Sequence, residues 1–108
     1  MGKLQTIVGN NIKRARLRLH LSQSQLAERS GLSASFIGEI EGGKKFPSAE
    51  NLERIAKALG LKPYQLLYEE EEWEVYDKYS TITSLYQELR EKLNTDLEET
   101  IRKHITGS

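Results

Sequence analysis

Apolar residues recur at helical spacing through the first two thirds of the chain. Val8, Ile12, Ala15 and Leu19 follow one another at intervals of four, three and four residues, so they share one face of a helix over about residues 4–19. The same kind of spacing returns in four later groups: Leu26 with Ala27; Ile37 with Ile40; Leu52, Ile55, Ala56 and Leu59; and Leu66 with Leu67. No strand-type alternation of apolar and polar residues competes with this pattern. The sequence therefore predicts an all-α fold.

Capping residues separate the predicted helices. Ser22 and Gln25 have the spacing of a capping box, and Gly31 suits the left-handed end of the helix that they open. Ser33 is a good N-cap for the next helix, over residues 34–41. The other boundaries are indicated by the pair Gly42 and Gly43, by Ser48 as an N-cap, by Gly60, and by Pro63 in a first turn. These signals predict five short helices in this part of the chain.

The last third has a different composition. Four glutamates at 69–72 precede several aromatic residues, and we interpret residues 69–79 as an acidic and aromatic connector. Residues 80–108 have the pattern of an amphipathic helical tail, with apolar positions at Ile82, Leu85, Tyr86, Leu89, Leu93, Leu97, Ile101 and Ile105. From Leu85 onward six of these positions lie four residues apart, so the stripe turns by about 40° per step around the helix. We therefore expect a bend or break at residues 94–95, where Thr95 is also a candidate N-cap.

The net charge of zero hides a strong asymmetry. Residues 1–68 contain 11 Lys or Arg and 5 Asp or Glu, a net charge of +6, whereas residues 69–108 contain 5 and 11, a net charge of −6. The basic part is suited to contact phosphates, and the acidic part would be repelled by them.

Composition also excludes several classes of function. The absence of cysteine excludes a disulfide framework and a cysteine-ligated zinc, and two distant histidines offer little to a metal. No apolar run approaches the roughly 18 residues of a membrane span, and no apolar signal segment is present. We therefore expect a cytoplasmic protein with no membrane partner. No nucleophile–base constellation or phosphate-binding glycine loop is present either, so we expect neither an enzyme nor a cofactor.

Residues 22–41 carry the pattern that points to a function. A capped helix, a short turn containing Gly31 and a second capped helix form the signature of a helix-turn-helix. If Ile37 and Ile40 of the second helix face the core, its opposite face is left with small or polar residues. Such a face suits a helix that must enter the major groove of DNA.

The same segments resemble the Cro/CI-type (Xre-like) helix-turn-helix regulators. The resemblance rests on the stretches LSQSQLAE at 21–28, SGLS at 30–33, FIGEIEG at 36–42, PS at 47–48 and the residues 52–61. It covers about residues 5–68 and leaves residues 69–108 outside. The resemblance implies a five-helix lambda-repressor-like domain that binds an operator as a dimer and controls transcription.

Carried over by position, the resemblance implies the residues that contact DNA. Ala34, Ser35 and Glu39 lie where the family reads base edges. The positions that contact phosphate hold Ser22, Gln23, Phe36, Gly38, Lys44 and Lys45. Arg16 and Glu41 match a structural pair that ties the first helix to the end of the helix over residues 34–41, the reader helix.

Two of these positions depart from the family pattern. Ala34 offers only a methyl group where a polar reader is common, so it could sense at most a thymine methyl. Gly38 replaces a usual small hydroxyl residue, which removes a phosphate contact and weakens the helix. Direct reading then rests on Ser35 and on Glu39, whose carboxylate can accept from cytosine N4, and the shape of the DNA supplies part of the specificity.

Several residues also have a purely structural interpretation. Glu39 could be an ordinary exposed helix residue, and Lys44 and Lys45 a solvated charged turn. Phe36 could pack on the core or lie along the sugar-phosphate edge. We interpret the acidic run 69–72 as solvated rather than as a cation site, because no ligand spacing is present.

The tail predicts an assembly. Its apolar residues are many for a 68-residue core to bury alone, so we expect residues 80–105 to dimerise through Leu85, Leu89, Leu93, Leu97 and Ile101. The alternatives are that the tail folds back on its own domain or binds a second regulatory protein.

Together these features predict a sequence-specific regulator that binds double-stranded DNA as a homodimer, most simply a repressor. A protein-interaction module, such as an antitoxin or adaptor that uses the tail, is the alternative function. The helix over residues 34–41 has few polar side chains that could read bases, and this supports the alternative.

Overall fold

The computed structural model describes residues 2–106 of the chain, and every regular element within that range is a helix. The elements are α1 (Lys3–Arg18), α2 (Gln23–Ser30), α3 (Ala34–Glu41), α4 (Ala49–Ala58), a 3-10 helix (Pro63–Leu67) and α5 (Glu70–Thr106). The predicted all-α, lambda-repressor-like architecture with an appended C-terminal helix is confirmed.

Serine caps set the starts of three of these helices. The hydroxyl oxygens of Ser22, Ser33 and Ser48 accept hydrogen bonds from the backbone N–H groups three residues later, at 3.0, 3.1 and 3.1 Å. Each bond satisfies one donor that the first turn of a helix otherwise leaves without a partner. Gln25 completes the capping box of α2, since its Oε1 accepts from the Ser22 N–H at 2.8 Å.

The structure divides into two compact units, with the boundary between Glu70 and Glu71. In the first unit, α1 and α2 both pack against α3, α2 also packs against α4, and the 3-10 helix contacts α1 and α4. The buried core comprises Val8, Ile12, Ala15, Leu26, Ala27, Ile37, Ile40, Ile55, Ala56, Leu59 and Leu66. These are most of the apolar positions that the helical spacing predicts, but Leu19 and Leu67 are 46% and 40% exposed and Leu52 is half-buried. Burial of this core holds α3 against the rest of the unit.

Two buried positions of α1 allow the close packing of the first unit. Gly9 lies where a Cβ would come within 2.4 Å of the Ile40 carbonyl oxygen, so α1 and α3 approach backbone to backbone. Asn11 donates from Nδ2 to the carbonyl oxygens of Leu66 and Tyr68, at 2.8 and 2.7 Å. These two hydrogen bonds tie α1 to the end of the 3-10 helix.

The second unit is formed by α5, a continuous helix of 37 residues that starts in the last residue of the first unit. Residues 70–79 are therefore helical, whereas the sequence suggested a separate connector over 69–79. The predicted break at residues 94–95 is wrong, because the helix continues through both. Thr95 does not act as an N-cap; its hydroxyl donates to the Glu91 carbonyl oxygen at 3.0 Å, one turn back in the same helix.

The aromatic start of α5 differs from the rest of the helix. Trp73 is 2% exposed, and its ring meets that of Tyr76 edge to face with centroids 5.5 Å apart. The apolar residues further along are between 48% and 79% exposed: Val75, Tyr79, Ile82, Leu85, Tyr86, Leu89, Leu93, Leu97, Ile101 and Ile105. Despite this apolar face, no helix in the described part of the chain is long and apolar enough to cross a membrane.

Candidate nucleic-acid interface

The helices α2 and α3 form the helix-turn-helix that the sequence predicts. Gly31 ends α2 with a φ of 72°, a left-handed conformation that glycine adopts without a Cβ clash. The chain then turns, and Ser33 caps α3 immediately afterwards. Ile37 and Ile40 are fully buried, so α3 is anchored by one face and presents the other.

The presented face of α3 holds the three predicted base readers. Ala34 and Ser35 are exposed in its first turn, where nothing on the described chain covers them, and Glu39 is half-buried one turn further on. Gly38 lies on the same face, and a Cβ added there would meet Gln23 Oε1 at 3.5 Å, an ordinary contact distance.

The carboxylate of Glu39 is ion-paired with the loop that follows α3. Lys45 Nζ lies 3.3 Å from Glu39 Oε2, and the Glu39 side chain is 38% exposed. The same Nζ lies 6.0 Å from the centroid of the Phe36 ring, within the range of a cation–π contact. Lys45 therefore lies beside both Glu39, a predicted base reader, and Phe36, which is predicted to contact phosphate.

Phe36 packs against the hydrophobic core and is partly buried. The sequence left open whether this ring packs on the core or lies along the sugar-phosphate edge, and the structure gives it the first of these contacts. Its approach to Lys45 keeps part of the ring at the surface.

Arg16 and Glu41 form a bidentate ion pair beneath the reader helix. Arg16 Nε and Nη2 donate to the two Glu41 carboxylate oxygens at 2.7 and 2.9 Å, and Nη1 donates to the Leu21 carbonyl oxygen at 2.8 Å. The hydrogen bonds to Glu41 raise the pKa of Arg16 above its ordinary value, and the carboxylate charge adds to this while burial opposes it. The pair connects α1, the turn before α2 and the last residue of α3.

Gln23 joins the same network from the first turn of α2. Its Nε2 donates to Glu41 Oε1 at 3.2 Å, so Glu41 accepts from α1 and α2 at once. Ser22, one residue earlier, uses its hydroxyl oxygen as the N-cap acceptor and keeps its proton available as a donor. Both side chains are exposed at the start of α2.

Two sets of ion pairs were not predicted from the sequence. The ion pair of Glu39 with Lys45 crosses the end of α3, where no regular helical spacing signals it. The acidic residues Glu69 and Glu70 pair with Lys3 and Arg14, at 3.6 and 2.8 Å, so part of the acidic run is ion-paired rather than simply solvated. Within residues 2–106 no three acidic or histidine side chains lie together as metal ligands.

Known proteins are similar in sequence to the part of the chain that forms this interface. An immunity repressor protein of Bacillus phage phi105 is 41% identical over 63 residues, which are 58% of this chain and 44% of the repressor. The control protein C.BamHI of Bacillus amyloliquefaciens is 35% identical over 65 residues, 59% of this chain and 80% of the control protein. The chain spans 36% to 44% of the length of the first curated relatives that it matches.

A solved structure repeats the same arrangement. The P22 c2 repressor protein, crystallised in complex with synthetic operator 9T, superimposes with a TM-score of 0.54 and is 33% identical, covering 56% of this chain and 91% of the repressor. The helix-turn-helix family HTH_3 matches residues 12–66, from the middle of α1 to the 3-10 helix. The chain therefore belongs to the HTH_3 helix-turn-helix family of Cro/CI-type transcriptional regulators.

Proposed function

We propose that the chain is a sequence-specific regulator that binds double-stranded DNA, and that it acts as a homodimeric repressor on a two-fold operator. The observation that carries this proposal is the outward face of α3, which exposes Ala34 and Ser35 while Ile37 and Ile40 anchor the helix. An immunity repressor among the relatives and an operator complex among the similar structures support it.

Base reading is assigned to Ala34, Ser35 and Glu39. Ser35 can donate or accept in the major groove, and the Glu39 carboxylate can accept from cytosine N4. Ala34 contributes only a methyl group, which can contact a thymine methyl. Since these are few direct readers, the deformability of the operator supplies part of the specificity.

Phosphate contacts are assigned to the two edges of the reader helix. Ser22 and Gln23 lie at the start of α2, whose N-terminal dipole favours an anion, and Lys44 and Lys45 lie in the loop after α3. The ring of Phe36 packs partly on the core, and we assign its exposed edge to the same sugar-phosphate backbone. Gly38, which has no side chain, allows the sugar-phosphate backbone to approach α3 closely.

Dimerisation is assigned to the tail, through Leu85, Leu89, Leu93, Leu97 and Ile101. These side chains are between 48% and 67% exposed, and a helix with so long an apolar face is stabilised by burying it against a second copy. Two-fold symmetry would place two reader helices about 34 Å apart on successive major grooves. A regulatory protein of a different sequence is the competing partner for this face.

Selection of binding sites from random DNA tests the proposed function. We expect the full chain to enrich a two-fold symmetric sequence, and we expect its affinity for that sequence to fall steeply with salt, with a log–log slope near −0.9 per phosphate contacted. Glu39→Gln should reduce discrimination at one base pair of each half-site by about 1–3 kcal/mol. If no sequence is retained over random competitor DNA, the chain is not a sequence-specific regulator.

The same binding assay distinguishes the alternative function. An antitoxin or adaptor whose reader helix no longer contacts bases would bind DNA without preference, and Glu39→Gln would leave its affinity for all sequences unchanged or raised.

A further inference from the structure

Lys45 and Lys44 are adjacent in the sequence and differ in their surroundings. Lys45 Nζ lies 3.3 Å from Glu39 Oε2 and 6.0 Å from the centre of the Phe36 ring, so its ammonium group lies over the face of α3. Lys44 is exposed in the same loop. The two lysines therefore offer a matched comparison of one charge beside a reader and one charge in the loop.

The backbone holds Lys45 close to Glu39. The N–H groups of Lys44 and Lys45 both donate to the Glu39 carbonyl oxygen, at 2.9 and 3.3 Å. Gly43 makes this return possible with a φ of 72°, which glycine adopts without strain. Because the loop is hydrogen-bonded to the residue whose side chain Lys45 contacts, less conformational entropy is lost in forming this ion pair than in joining two independent surface side chains.

The electrostatic potential of the DNA major groove explains how this ion pair could affect binding. A carboxylate that enters the major groove approaches two rows of phosphates, whose negative potential opposes it. A lysine ammonium group has three donors, so Lys45 can keep its bond to Glu39 and donate to a phosphate at the same time. The ion pair contributes little to the stability of the free protein, because exposed pairs generally do. We therefore expect the ion pair to affect the complex with DNA rather than the stability of the free protein.

We propose that Lys45 is a positioning residue that determines base discrimination by holding and neutralising the Glu39 carboxylate in the groove. This inference rests on the proposed function, in which α3 reads DNA through Glu39. The two lysines then have different roles, since Lys44 contacts only the sugar-phosphate backbone of the DNA.

The test measures discrimination separately from affinity. The wild-type chain and the variants Lys45→Gln, Lys44→Gln, Glu39→Gln and Lys45→Gln/Glu39→Gln are titrated with the selected operator and with every single-base-pair variant of one half-site. Lys45→Gln should lose roughly tenfold discrimination at the base pair where Glu39→Gln loses it. The double variant should lose no more discrimination there than Glu39→Gln, because the lysine acts through the carboxylate.

Lys44→Gln and one further variant, Lys45→Arg, exclude a general loss of charge or of fold. Lys44→Gln should weaken binding to every sequence by a similar factor and leave the discrimination profile unchanged. Lys45→Arg should retain most of the discrimination, because it keeps a positive charge beside Glu39. Thermal unfolding of each variant is measured alongside, and we expect all of them to unfold near the wild-type temperature.

The outcomes distinguish the inference from the function beneath it. If Lys45→Gln behaves like Lys44→Gln, or increases discrimination, Lys45 does not position Glu39 and the inference is wrong while the regulator function stands. If Glu39→Gln changes discrimination at no base pair, Glu39 is not a reader and the inference is wrong for that reason. If the wild-type protein prefers no sequence, the proposed function and the inference both fail.

Discussion

Glu41, the last residue of α3, connects the reader helix to two other helices. It accepts hydrogen bonds from Arg16 on α1 and from Gln23 on α2, while its own side chain is 3% exposed. A carboxylate this deeply buried is tolerable only with its partners in place. The position of the last turn of α3 therefore depends on residues far away in sequence.

We expect Arg16→Met to destabilise the fold by about 3 kcal/mol, because it leaves the Glu41 carboxylate buried without its main partner. Combining it with Glu41→Leu should recover part of that loss, since both charges are then removed. Equilibrium urea unfolding measures these free energies. Arg54→Met is the matched control: it breaks the exposed pair with Glu50 at 3.0 Å and should cost less than about 1 kcal/mol. Equal losses at Arg16 and Arg54 would contradict the structural role of the buried pair.

A second prediction concerns Gly38, on the outward face of α3. Its added Cβ would meet only the Gln23 side chain, at 3.5 Å, so alanine fits without displacement. Because alanine favours the helix over glycine, Gly38→Ala should stabilise the first unit by up to about 1 kcal/mol. The midpoint of thermal unfolding should therefore rise, and a lower midpoint would mean that α3 needs glycine at this position for packing.

Among the elements of the first unit, α1 and α3 pack backbone to backbone. Gly9 lies where a Cβ would be 2.4 Å from the Ile40 carbonyl oxygen and 2.9 Å from that of Glu41. Since both neighbours are backbone atoms, a side chain at Gly9 would push the two helices apart. The reader helix owes its position to this packing as well as to the Arg16–Glu41 pair.

We expect Gly9→Ala to destabilise the first unit by about 1–3 kcal/mol, as overpacking of a tight contact does. The same substitution is stabilising at Gly38, so the two variants form a pair with opposite expected signs. Urea unfolding measures the free energies. A neutral result at Gly9 would show that α1 and α3 can separate slightly without loss.

The middle of α5 carries local signals that resemble a helix boundary, although the helix is continuous there. Thr95 and Asp96 resemble a helix start, yet the Thr95 hydroxyl bonds to Glu91 within a continuous helix. A polar residue that can cap a helix can also lie inside one when its hydroxyl finds a backbone carbonyl in the preceding turn. The turning of the apolar stripe likewise requires no break in an exposed helix.

For the whole molecule, the exposed apolar face of α5 predicts a homodimer. Leu89→Glu/Leu93→Glu places two charges in an apolar face whose members are 53% and 67% exposed. We expect this variant to shift the protein from dimer to monomer in sedimentation at micromolar concentration, because the charges would be buried in the interface. Gln87→Glu/Glu91→Gln, on the same helix with no change of net charge, is the control and should remain dimeric.

The outcome of that experiment also bears on DNA binding. A monomeric variant should keep contacts to one half-site and lose most of its affinity for the two-fold operator. If the variant stays as dimeric as the wild type, Leu89 and Leu93 do not form the interface, and another surface of the chain pairs the protomers.

The helical fold and the location of the reader helix follow from the sequence alone. Helical spacing of apolar residues and serine caps are local signals, so they predicted the buried Ile37 and Ile40 and the N-caps Ser22 and Ser33 without knowledge of the fold. The family resemblance added the candidate contacts on α3 and its partner pair.

How those residues contact one another depends on the folded chain. The backbone approach at Gly9, the amide of Asn11 at the 3-10 helix and the pairing of Glu39 with Lys45 join residues through the folded chain. No sequence spacing encodes them, because each depends on where a helix ends or packs in three dimensions. The reader helix could be located from its caps and its periodicity, but the counter-ion beside its carboxylate required the fold.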